Sequence, residues 1–275
     1  MPRKLWRLVS LLALVLSLVA CDASDLQPQR PSSRPITGSV EVATTSGDKE
    51  AWKQVDGAMA LRTMRLSADS ASGYVTVVRF DPNAYRVSVK YDVANAGSLK
   101  EWFDALKPLV MINGGYFDEQ GRATALVIFD GIRRGESYDG FGGMVVINEQ
   151  GQFELRSLRQ QPFDPNENIQ QAMQSAPMLI QPGGQVSELE PDQDRSRRTV
   201  IGRDTQGRIL LLVSDVPSFT LPELAKALKS SDLDLDAALN LDGGRSTGLF
   251  LKTDAASVSI DSYEKLPLVL SVEAQ

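Results

Sequence analysis

Thr199-Val200-Ile201-Gly202 and Arg208-Ile209-Leu210-Leu211-Leu212-Val213-Ser214 flank Asp204-Thr205-Gln206-Gly207, and together they read as two strands folded on a tight turn. The pattern repeats upstream. Tyr74 to Phe80 and Arg86 to Tyr91 alternate apolar and polar residues around Asp81-Pro82-Asn83, which predicts a second hairpin. Val110 to Ile112, Ala125 to Phe129, Met144 to Ile147 and Gln152 to Leu155 add strands, the last two across Asn148-Glu149-Gln150-Gly151. Downstream, Ala237 to Leu241 and Gly248 to Leu251 flank Asp242-Gly243-Gly244. Helix starts are few. Ser98-Leu99-Lys100-Glu101 is a capping box for a helix to about Leu106, stopped before Pro108. Thr220-Leu221-Pro222-Glu223 opens another, to about Lys229, with Pro in its first turn. Hairpins with only two or three helices predict an α+β fold: a mainly antiparallel sheet with a few short helices, in a single domain.

Ahead of this pattern the chain changes character. Arg3, Lys4 and Arg7 precede an apolar run from Leu8 to Ala20, short for a membrane span and of the length of a signal-peptide core. The run ends in Leu18-Val19-Ala20-Cys21, which resembles a bacterial lipobox. That resemblance implies a signal peptide over 1–20, cleavage before Cys21 and diacylglycerol on its sulfur. Residues 21–38, rich in Pro, Ser, Gln and Arg, read as a flexible tether, and 39–275 as the folded domain. The expected location is the cell envelope, lipid-anchored at the outer face of the cytoplasmic membrane or in the periplasm, with the membrane as a partner through lipid on Cys21. The oligomeric state is not encoded in any of these features.

Composition removes whole classes of chemistry. The 275 residues include no histidine, so Ser-His-Asp and Cys-His catalysis and His-ligated zinc are excluded. Cys21 is the single cysteine, so a lipidated chain has neither a disulfide nor a catalytic thiol. After cleavage, 26 basic residues face 35 acidic ones, a net charge of −9. A surface this acidic is a poor match for nucleic acid.

Motif by motif, most alternatives fall away. Gly244-Arg245-Ser246-Thr247-Gly248 matches a nucleophile-elbow pattern, yet a strand-like Leu249-Phe250-Leu251 follows where a helix belongs, and no histidine exists to activate the serine. Asp232-Leu233-Asp234-Leu235-Asp236 begins like a calcium loop, but Ala237 stands at the sixth position and Gly243 at the twelfth. It reads instead as a solvated acidic turn. No phosphate-binding loop occurs. No cofactor or metal site is assigned, although carboxylates and backbone oxygens are compatible with a divalent cation.

Two polar-Gly-Gly turns remain, each after a short apolar strand: Asn113-Gly114-Gly115-Tyr116-Phe117 and Asp242-Gly243-Gly244-Arg245-Ser246. Paired glycines allow positive φ and close approach of a ligand to backbone N–H groups. If the two strands are neighbours, Asn113 and Asp242 share one cleft.

With Ser175-Ala176-Pro177-Met178-Leu179, Arg198-Thr199-Val200-Ile201-Gly202 and Leu239-Asn240-Leu241-Asp242-Gly243-Gly244, these residues resemble the phosphodiester glycosidase family. The segments come in the family's order and spread over roughly residues 73 to 270. The resemblance implies hydrolysis of a bond between a sugar's anomeric carbon and a phosphodiester, in an envelope glycopolymer or glycoconjugate. Its transition state is oxocarbenium-like and needs a carboxylate, while the departing phosphate needs donors more than a strong acid. On that basis Asp242 is expected as the carboxylate, Arg198 and Arg245 as phosphate ligands, and Asn113 and Ser246 as ligands of hydroxyls or phosphate oxygens. Gly114, Gly115, Gly243 and Gly244 would supply amides, with Tyr116 and Thr247 beside them. Asp118 and Asp215 are candidates for a second carboxylate, and each is equally readable as an Asp capping its own turn. The alternative is a non-catalytic envelope module that binds phosphorylated glycans through the same cleft.

Overall fold

The computed structural model describes residues 51–275. The expected signal peptide, Cys21 and the tether lie outside the described residues. Every strand pair in the fold is antiparallel, and the strands form three sheets. The largest has eight strands, in the order Lys53–Asp56, Met59–Ala68, Ala71–Phe80, Ile209–Phe219, Ser196–Asp204, Leu235–Asn240, Met178–Gln181 and Gln185–Val186. A second runs Ile132–Arg134, Val127–Phe129, Ile169–Ser175, Gly143–Asn148 and Phe153–Ser157. The third runs Ser257–Ile260, Leu249–Lys252, Val110–Asn113, Leu268–Ala274 and Tyr85–Tyr91.

Alternation explains how the sheets meet. Val110 and Ile112 enter a central core that also takes Val78 and Leu211 from the largest sheet and Val127 and Val145 from the second. Met111, between them in sequence, turns the other way, onto Leu99 and Phe103 of helix α1 (Leu99–Leu106). In the same manner Leu210 and Leu212 face helix α2 (Leu221–Lys229), against Leu224 and Leu228. Strands buried on both faces read as unbroken apolar runs, hence Leu210-Leu211-Leu212-Val213.

Both capping boxes form. Ser98 Oγ accepts from Glu101 N–H while the Glu101 carboxylate accepts from Ser98 N–H, and Thr220 and Glu223 do the same. The helices have eight and nine residues, so the α+β expectation is corrected to mainly β, because two short caps on buried sheet faces carry no independent helical layer. The hairpin expected at Asp81-Pro82-Asn83 is also corrected. The turn is there, with Asn83 N–H on Asp81 Oδ1 at 2.9 Å. However, Ala71–Phe80 pairs within the largest sheet and Tyr85–Tyr91 with Leu268–Ala274 in the third. The chain turns a corner between sheets there. By contrast, the expected hairpin around Asp204–Gly207 closes as read, with Val200 opposite Leu212. Asp232 pairs with Arg62 and Asp236 with Arg203, as an acidic turn rather than a cation loop.

Candidate active site

The two Gly-Gly turns meet although their strands belong to different sheets. Asp242 N–H donates to Gly114 O at 3.1 Å, and Asn113 Nδ2 donates to Asp242 O at 2.7 Å. Asn113 is buried, and its Oδ1 accepts from Thr199 Oγ1 at 2.7 Å and from Gly248 N–H at 3.1 Å. Expected to line a cleft, Asn113 is instead fully buried, its amide bonded to protein on both sides so that it holds the two turns together.

The glycines work mainly by their size, which corrects the expectation of positive φ. Only Gly244 adopts it, at +59°. A Cβ on Gly114 would stand 2.5 Å from Leu268 Cγ, on Gly115 2.6 Å from Gln174 O, and on Gly243 2.9 Å from Arg197 O. Their N–H groups are also largely committed: Gly114 to Leu268 O at 2.9 Å, Gly243 to Asp242 Oδ1 at 2.9 Å, and Gly244 to Arg197 O at 2.8 Å. The expected anion cradle of four amides therefore reduces to Gly115, whose N–H has no acceptor among the described residues.

Around the two turns gather polar side chains. Asp242 is half-buried, and its carboxyl is pushed up to about 6, first by burial and further by the Glu264 charge, against the Ser246 hydroxyl and the Gly243 N–H. Tyr116 lies within electrostatic reach of both Asp242 and Arg198, and burial with the Asp242 charge raises its phenol to about 12. It is therefore a neutral hydroxyl, and it accepts from Asn240 Nδ2 at 2.8 Å. Arg198 is buried, which lowers its pKa, and it is anchored through Nε to Phe219 O at 3.2 Å and through Nη2 to Asp194 O at 2.7 Å. Among the described residues nothing accepts from its Nη1.

Ser246 is buried and donates to Glu264 Oε1 at 2.6 Å, while Thr247 is fully buried with Oγ1 unpartnered. Arg245 is exposed and donates through Nη2 to Tyr263 O at 2.7 Å. The other two candidates sit elsewhere. Asp118 accepts from Arg122 Nε at 2.8 Å and from its own turn, which holds it below the usual carboxylate range. Asp215 is exposed and bonds to no described side chain. Three cleft residues escaped the sequence reading. Asn240 was findable, since it stands two positions before Asp242 and thus on the same face. Tyr138, within reach of Tyr116, and Glu264 carried no signal.

The family model described as phosphodiester glycosidase matches residues 107–267. No curated protein sequence matches the chain. Among solved structures, the chain is similar to the zebrafish N-acetylglucosamine-1-phosphodiester alpha-N-acetylglucosaminidase catalytic domain auto-inhibited by its pro-peptide. That match has a TM-score of 0.61 at 23% identity, covering 82% of this chain and 87% of that one. A hypothetical protein from Synechocystis is similar in fold, with a TM-score of 0.59 at 15% identity over 83% of this chain and 64% of that one.

Proposed function

We propose, on the premise that this chain belongs to the phosphodiester glycosidase family, that it hydrolyses the bond between a sugar's anomeric carbon and a phosphodiester. The observation that carries this reading is the half-buried Asp242 carboxylate and the Arg198 guanidinium, both close enough to Tyr116 for their charges to act on its phenol. A carboxylate facing the anomeric carbon stabilises the positive charge that develops as the bond to phosphate breaks. Arg198, fixed through Nε and Nη2, presents Nη1 to the departing phosphate, and a fixed guanidinium loses little entropy on binding an anion. Tyr116 stays protonated at neutral pH and offers a hydroxyl to a sugar oxygen or a phosphate oxygen. Asn113 acts by position: it sets the distance between the two turns.

The proposed substrate is an envelope glycopolymer or glycoconjugate, because the Leu18-Val19-Ala20-Cys21 lipobox would place the domain there on a lipid anchor. One preparation tests both parts. The full-length protein is made in bacteria fed an alkyne fatty acid, then incubated with an α-N-acetylglucosamine-1-phosphodiester and a panel of other sugar phosphodiesters, with and without divalent cations. Free sugar detected by mass spectrometry, absent from Asp242→Asn, is the expected result, together with label that Cys21→Ser removes. Saturable binding without product from any member of the panel would overturn the enzymatic reading in favour of a glycan-binding module.

A further inference from the structure

The turn that carries Asp242 ends in Ser246, whose hydroxyl meets a second carboxylate, Glu264. The hydroxyl donates to Glu264 Oε1 at 2.6 Å, while Ser246 N–H donates to Gly243 O at 3.1 Å beside Asp242, whose carboxyl feels the Glu264 charge. The segment carrying Glu264 is fastened to the Asp242 turn from both sides. Tyr263 N–H donates to Arg245 O at 2.7 Å, and Arg245 Nη2 returns a bond to Tyr263 O at 2.7 Å. Ser262 Oγ donates to Glu264 O at 2.8 Å, and the ring of Tyr263 stacks on the buried Arg197 guanidinium at 4.1 Å. Glu264 is therefore placed, not merely nearby. Its side chain is 36% exposed, so water reaches it.

Glu264 also lies 3.8 Å from Arg245 Nε, whereas Asp118 and Asp215, the other acidic candidates, sit away from the Asp242 turn, one in its own turn against Arg122 and the other exposed on the Ile209–Phe219 strand.

We propose that Glu264 is the second catalytic carboxylate, the base that deprotonates the water attacking the anomeric carbon; this rests on the glycosidase reading above. The water oxygen forms the new bond to that carbon and its proton passes to Glu264. The carbon–oxygen bond to phosphate breaks, and its electron pair leaves on the phosphate monoester. A monoester has a second pKa of about 6 and departs without protonation. Glu264 then returns its proton to the monoester or to solvent, and one water has been consumed.

The competing account is that Glu264 only satisfies the buried Ser246 and pairs with Arg245. Glu264→Gln separates the two, because its amide oxygen still accepts from Ser246 but cannot take a proton at neutral pH. The full-length protein, Glu264→Gln and Glu264→Ala are assayed on an α-N-acetylglucosamine-1-phosphodiester, with and without sodium azide. Glu264→Gln should lower kcat by about 100-fold or more with its melting temperature unchanged. Azide, an anion that needs no base, should restore cleavage in Glu264→Ala and appear in the product as a glycosyl azide. A Glu264→Gln enzyme within about threefold of the parent, or a slow Glu264→Ala enzyme that azide neither accelerates nor converts to glycosyl azide, overturns the proposal. An inert parent enzyme across the whole panel of sugar phosphodiesters overturns the glycosidase reading itself, so the two failures are distinguishable.

Discussion

Asp242 is the residue at which activity and stability pull apart. Its carboxyl titrates at about 6 in the folded chain against 3.8 for an unperturbed aspartate, chiefly because burial disfavours the charge. Below about pH 4 the group is protonated in both folded and unfolded chains. Between about 4 and 6 the folded chain keeps a proton that the unfolded chain has lost, so stability falls as pH rises, and above 6 the penalty is constant. Removing the charge should therefore stabilise the fold. Asp242→Asn, which still accepts from Gly243 N–H, is expected to be about 1–3 kcal/mol more stable than the parent at pH 7.5. The difference should vanish near pH 4, and turnover by the parent should fall about tenfold per pH unit below 6. Urea melts at the two pH values check the first part; a destabilised Asp242→Asn at pH 7.5 would mean the carboxylate is favoured in the fold. Asp242 was legible because Asp-Gly-Gly after an apolar strand is a local pattern. Glu264 was not, because Asp261-Ser262-Tyr263-Glu264-Lys265 has the composition of any exposed turn and only tertiary pairing sets it against Ser246.

At the level of elements, local signals succeeded and pairing signals depended on where the partner lay. The capping boxes at Ser98 and Thr220 formed because all their atoms lie within four residues. The Asp81-Pro82-Asn83 turn was recognisable from its residues, yet nothing in a turn says whether the strands it joins stay in one sheet. Ile169–Ser175 was missed because its glutamines look solvent-facing, whereas Gln174 is buried and bonded to Ser137 Oγ and Tyr138 N–H. The glycine pairs show the same division. Gly115 needs space while Gly244 needs a left-handed backbone, at φ +59° with nothing within 4 Å of its missing Cβ. Substitution should tell them apart. Asn, which tolerates that backbone, should be accepted at 244 at a cost below about 1 kcal/mol. Gly115→Ala drives a Cβ against the Gln174 carbonyl and should lose about 1–3 kcal/mol along with turnover. Equal urea midpoints for Gly115→Ala and the parent would contradict the packing argument.

At the scale of the molecule, the two glycine turns meet because three sheets share one core. Ile112 of the third sheet, Leu239 of the largest with Leu241 just past its strand, and Met173 of the second all lie in it, one residue or a few from Asn113, Asp242 and Ser175. The two turns are the points where strands leave that core, so the site cannot be assembled by any one sheet. That is also why apolar runs disclosed strands but not their grouping into sheets: a residue buried on either face carries the same chemistry. The arrangement predicts one cooperative unfolding event despite the size of the domain, because separating any sheet exposes the interior of the other two. Trp52 stacks against Arg79 on the largest sheet, and Trp102 donates to Leu266 O beside the third. With Trp6 replaced, variants keeping only Trp52 or only Trp102 report those two regions separately during urea unfolding. Coincident fluorescence midpoints that also match far-UV circular dichroism are expected. An earlier transition at Trp102 would mean that the third sheet, which carries Asn113 and is joined through Leu268 to Gly114, opens on its own. The site would then disassemble before the largest sheet does, and turnover would be lost in urea ahead of the main transition.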